Sequence, residues 1–188
     1  KYIAKLLKIS DKQYININNQ FIPDIMSVLS DAYASDDYEL RKNIFQLLKN
    51  ISDKLKKNDR SFCDDLSDPT YISLLWNDFP NNYYSAQLLS KIVDGNPTAA
   101  EYIISHKINE QQMQFLMSPD NPSNIIENVL IFFSAAFSSI KQYIPNMMDM
   151  FVDFTCNLIT NCNTNDDFID DLPILEKMAK SFEEVATK

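Results

Sequence analysis

Glycine is almost missing from this chain: Gly95 is the only one in 188 residues. β-Rich folds and nucleotide-binding loops take glycine wherever the backbone turns tightly or lies against a phosphate. The composition therefore weighs against both and favours α-helix. Histidine is equally scarce. His106, the only one, lies between Ser105 and Lys107 in what reads as a connector. One histidine rules out two-histidine metal sites and leaves any histidine-assisted nucleophile without support. Cysteine is sparse and odd in number: Cys63, Cys156 and Cys162 make no disulfide framework, and the last two fit no common zinc spacing. A reducing compartment, and hence a cytoplasmic location, is the expectation. Long apolar runs are missing too. The most apolar one, 129–137, is nine residues, against the ~20 needed to cross a bilayer.

What is present suits one compact helical unit. Hydrophobic residues make up 45% of the chain, and a chain of this length buries roughly 70% of its unfolded surface. Eight prolines supply the punctuation that glycine does not. The net charge of −9 is uneven: residues 1–60 carry 11 Lys/Arg against 8 Asp/Glu, and residues 61–188 carry 6 against 18. An acidic surface repels nucleic-acid backbones, so no nucleic-acid partner is expected. The charge reads as solvated outer faces.

The organising signal is a repeat. Gln46-Leu47-Leu48-Lys49-Asn50-Ile51 returns as Gln87-Leu88-Leu89-Ser90-Lys91-Ile92, 41 residues on. Self-similarity at about 40–47 residues is the mark of HEAT and armadillo arrays. Four helical hairpins are predicted, over 21–57, 69–94, 108–140 and 145–186. In the first, Pro23 opens a helix with Ile25, Val28, Leu29 and Ala32 inward. Ser35, Asp36 and Asp37 then cap a second helix, whose stripe is Leu40, Ile44, Leu47, Leu48, Ile51 and Leu55. Arg41, Gln46, Asn50 and Lys54 fall off that stripe. Residues 58–68 read as a polar connector, and Pro69 opens a short helix bearing Tyr71, Ile72, Leu74, Leu75 and Trp76.

Asn82 caps the twin helix, with Leu88, Leu89 and Ile92 inward, and Gly95 sits where a helix C-terminus wants it. A short helix over 98–104 follows, then one over 109–117 with Met113, Phe115 and Leu116 apolar. The most apolar helix, 125–140, turns Ile126, Val129, Leu130, Phe133, Phe137 and Ile140 to one face, widened by Phe132 and Ala136. Glu127, Ser134, Ser138 and Lys141 form its narrow polar strip, and such a helix is expected to be clasped on several sides. Pro145 restarts the pattern with Met147, Met148, Phe151, Phe154 and Leu158. Pro173 begins a last helix with Leu175, Met178, Ala179, Phe182 and Val185 inward. Residues 2–9 fit a helix remnant, so 1–188 is expected to be a single helical domain cut from a longer solenoid.

Phe21-Ile22-Pro23-Asp24-Ile25-Met26-Ser27-Val28-Leu29-Ser30-Asp31, followed by the segment from Tyr38 to Ile51, resembles the second and third helices of an armadillo repeat. Residues 71–94 and 111–137 resemble further copies. The resemblance implies a right-handed α-solenoid of armadillo/HEAT-like repeats, whose stacked units offer an extended concave surface. Importin-α-like armadillo proteins clamp an extended peptide with a Trp and, four residues later, an Asn on the third helix. Those places hold Gln46 with Asn50, then Gln87 with Lys91, so nuclear-signal recognition is not implied.

Candidate chemistry is thin. Asp166, Asp167 and Asp170 spell the DDxxD pattern with which prenyl-diphosphate enzymes hold Mg²⁺. They precede Pro173 where acids favour a helix start, and no second metal motif accompanies them. The Asn161, Asn163, Asn165 and Asp167 alternation lacks the glycine and closing glutamate of a Ca²⁺ loop. Lys54, Lys56, Lys57 and Arg60 read as cations at a helix end, and Met147, Met148 and Met150 read as core. No catalytic residue, metal or cofactor is expected. The expected function is a non-catalytic scaffold that binds a partner peptide or helix. The alternative is a structural segment of a larger multi-subunit assembly or a regulatory subunit, and a remote one is a DDxxD-type Mg²⁺-dependent prenyl-diphosphate enzyme. The candidate partner-binding residues are Asn43, Gln46, Asn50, Tyr84, Gln87 and Lys91.

Overall fold

The computed structural model describes residues 20–54, 60–140 and 145–161. Among them 80% are helical and none is in a strand, so the chain is all-α. The helices are α1 (Phe21–Ala34), α2 (Tyr38–Lys54), α3 (Ser61–Asp65), α4 (Pro69–Trp76), α5 (Tyr83–Val93), α6 (Pro97–Lys107), α7 (Glu110–Leu116), α8 (Ser123–Ser139) and α9 (Pro145–Asn161). Residues 2–9, Leu55, the loop and DDxxD acids of 162–172 and the helix expected from Pro173 all lie outside the described residues. None of the described helices is long and apolar enough to cross a membrane.

Polar caps set the helix starts. The Asp37 carboxylate accepts from the Leu40 amide at 2.9 Å, and Asp68 accepts from the Thr70 amide ahead of Pro69. Asn82 accepts from the Tyr84 and Ser85 amides, and Asn96 from the Ala99 amide. Asn109 and Gln112 form a reciprocal capping box at α7. Each satisfies backbone donors that a helix start leaves without partners. The exit of α5 is equally well built. Gly95 takes φ +71°, a conformation that costs a side chain-bearing residue dearly. Arg60 donates to the Ile92 carbonyl at 3.2 Å and to the Asp94 carbonyl. The Gly95 amide donates to Ser139 Oγ at 2.7 Å, tying this corner to the end of α8.

The helix pairs expected as the first three hairpins are in contact: α1 with α2, α4 with α5, and α7 with α8. Beyond them, two lines of helix contact run through the molecule. One passes from α1 to α4 to α6; the other passes from α2 to α5 to α8, and α5 on α8 is the broadest contact of all. The 41-residue twins are therefore neighbours, and equivalent positions share their burial. Leu47 and Leu88, like Leu48 and Leu89, lie in the core, and so do Phe132 and Phe133 a further 44 residues on.

The expected inner helix is α8. Its whole predicted face is buried, and it meets α5, α6 and α7. Aromatic rings carry the packing onward. Trp76 stacks on Phe79 at 4.4 Å, Phe79 meets Phe132 at 5.1 Å, and Phe133 and Phe137 meet Phe151 of α9 at 5.5 and 5.1 Å.

Several local expectations are corrected. The 58–68 connector contains α3, whose five residues are too few to show a period. The short helix begins at Pro97 and runs to Lys107, so His106 lies in its last turn and not in a connector. Val28 is exposed while Ile22 and Met26 take its place in the core. Phe115 is 59% exposed, and Ser134 is buried instead of lying on a polar strip. Arg41 is the largest departure: it is buried on the inward side of α2, where only apolar residues were expected.

Candidate partner-binding face

Asn43, Gln46 and Asn50 follow one another at i, i+3 and i+7, which places them on one side of α2. Tyr84, Gln87 and Lys91 repeat the spacing on α5. All six are half-buried, as residues at the rim of a helix–helix contact should be. Asp53, three residues beyond Asn50, continues the first line and joins it to the second. Lys91 Nζ donates to Asp53 Oδ1, and Lys49 Nζ reaches Asp53 Oδ2 at 2.6 Å. Gln87 Nε2 donates to the Tyr83 hydroxyl at 3.1 Å, and the Tyr83 and Tyr84 rings meet edge to face at 5.7 Å. By contrast, the side-chain amides of Asn43, Gln46 and Asn50 make no hydrogen bond among the described residues.

Asp53 and Lys49 were not expected in this face, although their i, i+4 spacing signals a helical ion pair. Burial works against the charge of Asp53, but hydrogen bonds from Lys49 and Lys91 hold its pKa below the usual carboxylate range. The hydrogen bond to Asp53 in turn raises that of Lys49. A carboxylate whose pKa is lowered by folding contributes stability above the ordinary carboxylate range, and that stability is lost as the pH falls through the lowered value. Asp53→Asn should therefore be less stable than wild type near neutral pH, and the two should converge as the pH drops through the Asp53 titration. Urea unfolding across an acid pH series measures the gap. A gap that stays constant to the acid limit of folding would assign the loss to packing instead of charge.

The face ends at α5. Carrying the register on by 44 residues places Asn128, Ile131 and Ala135 of α8 where Tyr84, Gln87 and Lys91 stand. Asn128 is buried and donates to the Pro80 carbonyl at 2.7 Å. Ile131 is half-buried, and Ala135 is buried. Thus α8 continues the row of helices without its polar edge.

Two other constellations are built for structure. Arg41 lies between the Tyr33 and Tyr38 rings, at 4.8 and 5.7 Å from their centres. Its Nε pairs with Asp78 and its Nη1 with Asp36, each at 3.3 Å. Tyr33 donates to the Leu74 carbonyl at 3.0 Å, and burial, followed by the charge of Asp78, pushes its hydroxyl pKa up. The Arg41 head, both carboxylates and the Tyr33 hydroxyl are thereby engaged with one another or with backbone. This cluster ties the first hairpin to the second. His106 stacks on Tyr102 at 4.8 Å with Nδ1 3.1 Å from the Tyr102 carbonyl, at an exposed helix end. Among the described residues no group of three or more His, Cys, Asp or Glu is arranged to hold a metal ion.

No family model matches this chain, and no curated protein or solved structure matches it either.

Proposed function

We propose that the chain is a non-catalytic interaction scaffold of armadillo/HEAT type, which binds a partner peptide or helix across the α2–α5 face. The observation that carries this reading is the line of three unengaged amides, Asn43, Gln46 and Asn50. It lies beside an α5 edge that Lys91 and Asp53 hold in place. A backbone or polar side chain laid along that line would find donors and acceptors that no bond within the chain competes for, presented at helical spacing. The solenoid assignment draws support from the α2–α5–α8 line of helix contact and from the shared burial of the 41-residue twins. In that arrangement α2, α5 and α8 are successive third helices lining the concave side, and α3 and α6 are the short helices that precede the pairs α4/α5 and α7/α8. The absence of a disulfide at Cys63 and Cys156 among the described residues fits a reducing, cytoplasmic setting.

The test is a partner isolated with the tagged wild-type chain and then titrated against Asn50→Ala/Gln87→Ala. Loss of about 1–2 kcal/mol, roughly tenfold or more in Kd, is expected. Both side chains lie at the surface, so stability should change by only about 0.5 kcal/mol. Unchanged affinity would dismiss this face, and the helices would then be read as a structural segment of a larger assembly.

A further inference from the structure

The α5–α8 seam contains two buried polar atoms whose chemistry is complementary and whose needs are unmet. Asn82 is 3% exposed, and its Oδ1 is committed as the helix cap, accepting from the Tyr84 and Ser85 amides at 3.0 and 3.3 Å. That bond fixes the orientation of the amide, because only the oxygen can accept, and so Nδ2 must be the remaining arm. Asn128 is 1% exposed and donates through Nδ2 to the Pro80 carbonyl. Its orientation is fixed for the converse reason, leaving Oδ1 over. Asn82 Nδ2 and Asn128 Oδ1 are both sealed from solvent and have no hydrogen-bond partner among the described residues. Both side chains are tied to the same turn, since the Pro80 carbonyl that anchors Asn128 is two residues from Asn82.

We propose that this turn is a binding site for one internal water molecule, shared by Asn82 and Asn128. The site needs a ligand that accepts one hydrogen bond and donates another. A donor amide and an acceptor amide that do not reach each other define those two points, and the sealed setting restricts the occupant to the size of water. Buried waters recur at such places, bridging polar groups that the fold leaves without partners. The water accepts from Asn82 Nδ2 and donates to Asn128 Oδ1. It thereby links the start of α5 to the second turn of α8. This site is independent of the proposed partner-binding face.

A crystal structure of the chain at high resolution tests the site directly. The expected result is a solvent peak about 2.7–3.2 Å from both atoms. A direct Asn82–Asn128 hydrogen bond, two separate waters or no peak would each overturn the proposal. Asn82→Ser supplies the second arm, since serine retains the cap but has no group at the position of Nδ2. In that variant the peak should weaken or vanish while the bond from Asn128 to the Pro80 carbonyl persists. Oxygen-17 relaxation dispersion in solution should then count one fewer long-lived water than in wild type. An equal count, or a peak of undiminished occupancy, would show that Asn82 does not hold it.

Discussion

Arg41→Leu should cost about 3–5 kcal/mol of unfolding free energy, the range for stranding one member of a buried ion pair. The Arg41 and Asp78 side chains are only 10% and 12% exposed, so leucine would leave the Asp78 carboxylate with little water to replace its partner. Asp36 contributes far less to that total. Its side chain is 96% exposed, and an open pair of that kind is worth about 0–1 kcal/mol. The rings of Tyr33 and Tyr38 add cation–π attraction and set the control. Arg41→Lys keeps the charge but loses the planar fork, and it should fall between wild type and Arg41→Leu. Arg41→Leu/Asp78→Asn should recover part of the loss, because it removes the stranded charge. Urea unfolding of the four proteins decides the matter. A loss below about 1 kcal/mol for Arg41→Leu would mean that water reaches Asp78 freely.

Phe133→Ala should be comparably damaging, costing about 3–5 kcal/mol through lost transfer energy and the cavity left behind. Phe133 is fully buried and meets the rings of Phe132, Phe137 and Phe151 at 5.1, 5.4 and 5.5 Å. Truncation would therefore open a gap that three neighbours border. Phe115, 59% exposed, is the matched comparison, and Phe115→Ala should stay within about 0.5 kcal/mol of wild type. Urea midpoints of the two variants give the difference. Equal losses would show that the α7 surface is covered by something beyond the described residues.

The elements readable from sequence were those fixed by short-range chemistry. Proline at the start of α4, Asn82 ahead of α5 and Gly95 behind it each act on backbone within a few residues. The α8 stripe was legible because so many apolar positions agree that a one-residue error in its face changes little. Arg41 was not. A charged residue reads as solvent-facing until its counter-ion is known, and Asp78 lies 37 residues away, delivered by the turn after α4. Val28 failed for a gentler reason: it sits at the edge of the α1 stripe, where a small rotation of the helix exchanges it for Met26. In the proposed partner-binding face, the two helical lines follow from the 41-residue repeat. Asp53, the residue that joins them, became visible only when α2 and α5 were laid side by side.

The position of α8 bears on how the chain is made. Its nine-residue stretch 129–137, apolar but for Ser134, would be a hazard if it emerged from the ribosome before anything could cover it, since exposed apolar segments aggregate during synthesis. Yet α5, α6 and α7, the helices it meets along its length, all precede it in the chain. The most adhesive segment therefore arrives after its docking surfaces have been synthesised. Among the described residues, only the flank taken by Phe151 waits for α9, and α9 begins five residues after Ile140.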